Sequence, residues 1–175
     1  MDNHQVKIST QIENSKNQID IEDLVSKVCY VSVTGIIQKG GRFLICKRGP
    51  DEKAFPNKWC VPGGKVEKQH FINDPKDTRD HWIDIFEKVL KKEIAEEVCL
   101  SIKNIEYVSS LVFIRPNGFP TIIVSLCAEY ADGEVRIDGK ELVDYAWVDL
   151  VEAKKFDLIE NIYEQIERVD QRRMG

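Results

Sequence analysis

Residues 82–100, WIDIFEKVLKKEIAEEVCL, decide how this chain folds. Phe86, Leu90, Ile94 and Val98 recur at every fourth position with Ile83 and Val89 beside them, the apolar stripe of an amphipathic helix. The spacing predicts a helix over Trp82–Val98, with Asp80 or Asp84 as its N-cap. Its last turns carry Glu93, Glu96 and Glu97 on one arc, because residues three and four apart are neighbours on a helix. For an arbitrary Glu-rich helix a solvated charged face is the duller reading. Here folding alone disfavours the arrangement. Glu93 and Glu97 repel at about 0.2–0.5 kcal/mol, and anions near a helix C-terminus lose roughly 0.3–1 kcal/mol each to the dipole. Lys88, Lys91 and Lys92 relieve only part of this. The missing partner that such a cluster invites is a divalent cation, and hard carboxylate oxygens suit Mg²⁺ or Mn²⁺.

Upstream, VCYVSVTGIIQ (28–38) is rich in β-branched residues and predicts a strand ending at Lys39-Gly40-Gly41, with RFLICKR (42–48) as its hairpin partner. Loop follows over 49–57. Lys58–Val61 reads as a short strand stopped by Pro62-Gly63-Gly64, and 65–81, which lacks periodicity, reads as loop. Downstream, strand-like segments around Ile105–Arg115 and Phe119–Tyr130 flank the turn signal Pro116-Asn117-Gly118. Shorter strands are expected at Glu134–Ile137 and Leu142–Val148, and helices over Asp149–Lys155 and Leu158–Val169. A polar lead-in (1–20) precedes a turn of helix over Ile21–Val28, capped by Asp20. Residues 21–175 then make one domain of the α/β (α+β) class, helices covering a mixed sheet.

Composition narrows the function. The 175 residues are 42% hydrophobic and 31% charged, an ordinary globular balance. A net charge of −5 repels nucleic acid, so a phosphorylated substrate needs cations or a local basic patch. The longest apolar runs, such as Thr121–Ala128, fall far short of the ~20 residues that span a membrane. The N-terminus lacks the apolar segment of a secretory signal. Cys29, Cys46, Cys60, Cys99 and Cys127 form no CxxC pair and read as reduced thiols, which points to the cytoplasm. The implied partner is a small molecule, with neither nucleic acid nor membrane; a homodimer stays open.

Pro62-Gly63-Gly64-Lys65-Val66-Glu67, followed later by Lys92-Glu93-x-x-Glu96-Glu97-x-x-Leu100, resembles the box of the Nudix (MutT-like) family. Arg42–Arg48, Phe55–Gly64 and Tyr145-Ala146-Trp147-Val148 leading into Asp149-Leu150 are similar to the family as well, so the resemblance covers roughly residues 28–155. Four departures stand out. Asp84 occupies the place of a Glu, Lys92 that of an Arg, and Cys99 that of a Gly that would end the helix in a left-handed conformation. About fourteen extra residues also separate Glu67 from Asp84.

The resemblance implies a Nudix-like α/β/α sandwich and a metal-dependent hydrolase. Its substrate would be a nucleoside diphosphate linked to another group. Two or three Mg²⁺ ions would sit on Glu93, Glu96 and Glu97, with the Gly63 carbonyl as a further ligand. Gly64 would shape the turn, and an Asp84–Lys92 charge pair would steady loop against helix, without the bidentate fork of Arg. Glu141, six residues before Trp147, stands where many members carry an additional ligating or base carboxylate on a mobile loop; a surface charge is its even-weighted alternative. The general base is Glu97 or Glu141, with Glu96 beside them. Arg48 and Lys65 would meet phosphate, or else be ordinary surface charges. Phe55 and Trp59 would stack on a base, although Trp59 is more often core. His81, with Asp77 and Asp80, lies in the insertion over Lys68–Ile83, which either folds over the pocket rim and selects substrate or is a tolerated excursion. The rival from another class is a Nudix-fold ligand-binding or regulatory module without turnover.

Overall fold

The computed structural model describes residues 27–115, 117–137 and 139–174, with positions 173 and 174 described by backbone alone. The polar lead-in and nearly all of the helical turn expected over Ile21–Val28 lie outside them. The hairpin forms as its sequence predicts: β1 (Tyr30–Lys39) and β2 (Arg42–Arg48) pair antiparallel, with Gln38 opposite Phe43. β3 (Trp59–Cys60) pairs with β2. The Gly-Gly turn does not merely stop that strand. Gly63–Lys65 is itself a strand, β4, set antiparallel against Ser32–Thr34 of β1.

β5 (Leu100–Ile114) and β6 (Pro120–Gly133) are longer than expected and pair antiparallel, while β6 runs parallel to β1 along its length. β7 (Leu142–Val148) closes on β2. The result is a seven-stranded mixed sheet ordered β3-β2-β1-β6-β5, with β4 on β1 and β7 on β2. Glu134–Ile137 is not a strand. Gly133 turns the chain at φ 107°, and the Arg136 N–H goes to the Val98 carbonyl instead of a ladder.

The helix that decides the fold, α1, spans Ile85–Val98 and buries Val89, Leu90, Ile94 and Val98, packing on β1, β4 and β5. It starts three residues later than the periodicity implies. The Ile83 N–H is held by Asp77, and the chain then turns at Asp84, whose φ of 55° is left-handed and whose side chain caps nothing. At its other end Cys99 adopts a left-handed φ of 56°, the conformation for which a glycine is the usual choice. Of the last two helices, α2 (Leu150–Ala153) is short and capped by Asp149, which accepts from the Val151 and Glu152 N–H groups. α3 begins only at Ile162, because backbone groups of 157–159 bond to Trp59. Ile162, Ile166 and Val169 bury its apolar face, and α3 packs on β1 and β5. Among the described residues no helix is long and apolar enough to cross a membrane.

Candidate active site

Two glycines of β4 create the space for the site. At Gly63, φ is 152°, and a Cβ there would run into the Val33 carbonyl of β1. At Gly64 a Cβ would fall on the carboxylate of Glu93, so that side chain lies directly on the glycine backbone. The Gly63 N–H donates to Oε2 of Glu97 at 2.9 Å. The ladder from β4 to β1 and the buried stripe of α1 thus hold two carboxylates, one helical turn apart, against the same short strand.

Burial dominates their electrostatics. It pushes the Glu97 carboxyl up to about 8, and the neighbouring Glu93 and Glu141 push the same way, while the Gly63 N–H and Arg48 pull it down. Glu93 is also raised, first by burial and then by Glu96 and Glu141, against the opposing pull of His70 and Lys92. Glu93 therefore senses Glu96 and Glu141, and Glu97 senses Glu93 and Glu141. A divalent ion placed among them would reverse this balance and keep them ionised. Among the described residues no three His, Cys, Asp or Glu side chains are gathered closely enough to hold an ion by themselves. Glu96 is exposed, and Glu97 turns one oxygen to Gly63. That openness fits a divalent ion that is held by one or two carboxylates plus waters and substrate phosphate rather than in an all-protein cage.

Glu141 is exposed on the segment before β7, and its carbonyl is tied to the Gly49 N–H at 2.8 Å, so backbone bonding anchors the loop that carries it. Arg48 is already engaged, with Nε on the Ala54 carbonyl at 2.8 Å and the guanidinium ion-paired to Glu52. Lys65 is exposed at the end of β4. Phe55 is 44% exposed, with a left-handed φ of 53°, and its ring tilts against Phe113 at 6.0 Å. Trp59 packs against the core, edge-on to Phe156 at 4.6 Å.

The Asp84–Lys92 pair does not form among the described residues. Both side chains are exposed, and their eight-residue separation corresponds to roughly 12 Å along a helix. Asp77 takes over the loop-to-helix clamp, accepting from the Ile83 N–H at 2.9 Å and from Lys88 Nζ at 2.6 Å. The insertion is structured rather than plain loop. It holds a 3₁₀ turn at Lys68–His70, a Phe71–Trp82 ring pair at 5.4 Å and a bond from Trp82 Nε1 to the Asp74 carbonyl. His81 hydrogen-bonds with Thr78 within the insertion. The imidazole that does reach the site is His70, with Nε2 3.7 Å from Oε1 of Glu93, the two side chains 10% and 15% exposed. Sequence reasoning missed it because the contact depends on a 3₁₀ turn inside an aperiodic stretch.

The NUDIX domain model matches residues 29–169. The nucleoside triphosphatase NudI of Klebsiella pneumoniae is 29% identical over 126 residues, covering 72% of this chain and 86% of that protein. The NAD-capped RNA hydrolase NudC of Erwinia tasmaniensis is 40% identical over 62 residues; the match spans 35% of this chain and only 22% of that protein. Among solved structures, the NUDIX domain of Shewanella oneidensis NrtR complexed with ADP ribose superposes with a TM-score of 0.66 at 16% identity, covering 90% of this chain and 95% of that one. The match over residues 29–169 shows that the chain belongs to the Nudix hydrolase family.

Proposed function

We propose that this protein is a Mg²⁺-dependent hydrolase that cleaves a phosphoanhydride bond in a nucleoside diphosphate linked to another group, with Mn²⁺ as an alternative ion. The observation that carries this reading is the pair of half-buried carboxylates, Glu93 and Glu97, on the Gly63–Gly64 strand, with Glu141 electrostatically coupled to both. Glu93, Glu96, Glu97, Glu141 and the Gly63 carbonyl are the groups that would hold the metal. Bound there, a divalent ion polarises the diphosphate and acidifies a water molecule.

The protein's own groups do the rest. Oε2 of Glu97 is occupied by the Gly63 N–H, so its Oε1 is the atom that takes a proton from the attacking water, with Glu141 as the alternative base. The water oxygen bonds to one phosphorus as that phosphorus loses the bridging oxygen, and two phosphorylated fragments leave. Lys65, exposed beside Gly64, offers a cation to the phosphates. Arg48 would do so only by leaving Glu52. The partly exposed Phe55 ring, backed by Phe113, offers a face to the base. The neighbour holding ADP ribose supports a nucleotide-type ligand for this scaffold.

A panel of oxidised deoxynucleotides, ADP-ribose, dinucleotides and sugar nucleotides, assayed with Mg²⁺, with Mn²⁺ and again with chelator, tests the reading. Mg²⁺-dependent release of two phosphorylated products from at least one member is expected. Tight binding of a panel member with no turnover in either metal would point to a ligand-binding module instead.

A further inference from the structure

The insertion carries an imidazole into the acidic cluster, and its geometry assigns it a task. The ring sits on the 3₁₀ turn Lys68–His70, where the Glu67 N–H donates to its Nδ1 at 3.4 Å. In the neutral ring a nitrogen that accepts leaves the proton on the other one, so Nε2 carries the hydrogen. Nε2 is the atom 3.7 Å from Oε1 of Glu93. An Nε2 that carries its hydrogen cannot ligate a metal, and 3.7 Å exceeds a direct hydrogen bond, so the ring offers the carboxylate an N–H at electrostatic range. Gly64 closes another side of that carboxylate with bare backbone. Glu93 therefore lies between bare glycine backbone, whose Cβ position its carboxylate fills, and a donor that comes from the insertion.

We propose that His70 is a positioning residue for Glu93, fixing the carboxylate orientation from which Glu93 meets a divalent cation; this rests on the metal-dependent reading above. Partners of this kind typically change metal affinity by roughly 10–100-fold when removed. Nothing in the 3₁₀ turn itself requires the ring to reach Glu93. The turn closes through the His70 N–H to the Glu67 carbonyl at 2.9 Å and through Phe71 to Lys68 at 3.3 Å.

Two amides separate positioning from a local structural role. Asn reaches as far as Nδ1 and keeps an acceptor for the Glu67 N–H, whereas Gln reaches as far as Nε2 and keeps the donor toward Glu93. Binding of Mn²⁺ to the full chain, read from the electron paramagnetic resonance signal of the free ion, is the measurement, with a thermal melt of each variant alongside. His70→Asn should weaken Mn²⁺ binding roughly tenfold, and His70→Gln should stay within about threefold of the parent. Equal affinity of His70→Asn and the parent would overturn the proposal, as would a His70→Gln loss as large as that of His70→Asn. Glu93→Gln distinguishes the two levels of failure. If it leaves Mn²⁺ binding intact, the metal reading itself fails; if it weakens binding while His70→Asn does not, only the role of His70 falls. Should one amide melt below the assay temperature, the Mn²⁺-induced rise in Tm of the other against the parent decides by the same criteria.

Discussion

Glu93 stands between two regions built in opposite ways. On one side, β4 and α1 hold it through core contacts: Val89, Leu90, Ile94 and Val98 are buried, each contributing about 1.5–3 kcal/mol, and β4 is laddered to β1. On the other side, the insertion is held by exposed polar contacts and one ring pair, with most of its residues open to solvent. The core-held wall sets where the carboxylates are. The insertion brings His70 to Glu93, and with contacts this exposed it is expected to open locally before the domain unfolds.

The largest effect should come from the wall. Glu97→Gln keeps an acceptor for the Gly63 N–H and removes repulsion with Glu93, so thermal stability should hold or rise. Turnover of whichever panel substrate is hydrolysed should fall by roughly 100-fold or more, the usual weight of a general base. Near-normal turnover at saturating Mg²⁺ would remove Glu97 from the mechanism.

The two glycines sharpen the comparison within the wall. At Gly64 an added Cβ meets the far end of a flexible side chain, Glu93, which can swing aside. Gly64→Ala should therefore change stability by no more than about 1 kcal/mol while Mn²⁺ binding weakens roughly tenfold. At Gly63 the obstruction is backbone, and φ is 152°, so Gly63→Ala should cost stability, on the order of 1–3 kcal/mol. Melting curves and Mn²⁺ titrations of the pair should give opposite profiles. Similar profiles would mean that the strand, not the Glu93 carboxylate, absorbs both changes.

Glu141 is a smaller case. Its backbone is anchored to Gly49, but its side chain is exposed, so Glu141→Gln should leave Tm unchanged and lower kcat by roughly tenfold if it assists Glu97 as ligand or base. An effect on Tm alone would return it to the surface.

What was legible in the sequence follows the same division. The periodic stripe of α1, the β1–β2 hairpin and β7 could be read because burial on one face writes a repeat into the chain. Glu93, Glu96 and Glu97 were legible because helical spacing alone gathers them. Three features were not. Gly63–Lys65 is too short to show alternation, and its pairing depends on β1. The start of α1 is set by Asp77, a polar clamp with no periodic signature. Arg48 reads as a free cation until the fold brings Glu52 and Ala54 around it.

Asp77 offers the most delicate test of the contrast. Lys88 first, and then the Ile83 N–H, hold its carboxyl below the ordinary carboxylate range. A depressed carboxyl contributes stability above its unfolded-state value and loses it as pH falls through the folded one. The clamp is thus fully made at neutral pH and released only in acid, below the ordinary carboxylate range. Asp77→Asn mimics that release at any pH. Amide exchange followed by mass spectrometry should then quicken over residues 77–88, while Val89–Val98 stays protected, global Tm moves little and turnover changes less than about twofold. In the parent protein, protection over the same residues, measured against the intrinsic exchange rate at each pH, should fall only on acidification. If instead Asp77→Asn loosens Val89–Val98 or lowers Mn²⁺ affinity as much as Gly64→Ala, the insertion and the wall form one cooperative unit, and the separation between what fixes the carboxylates and what faces them collapses.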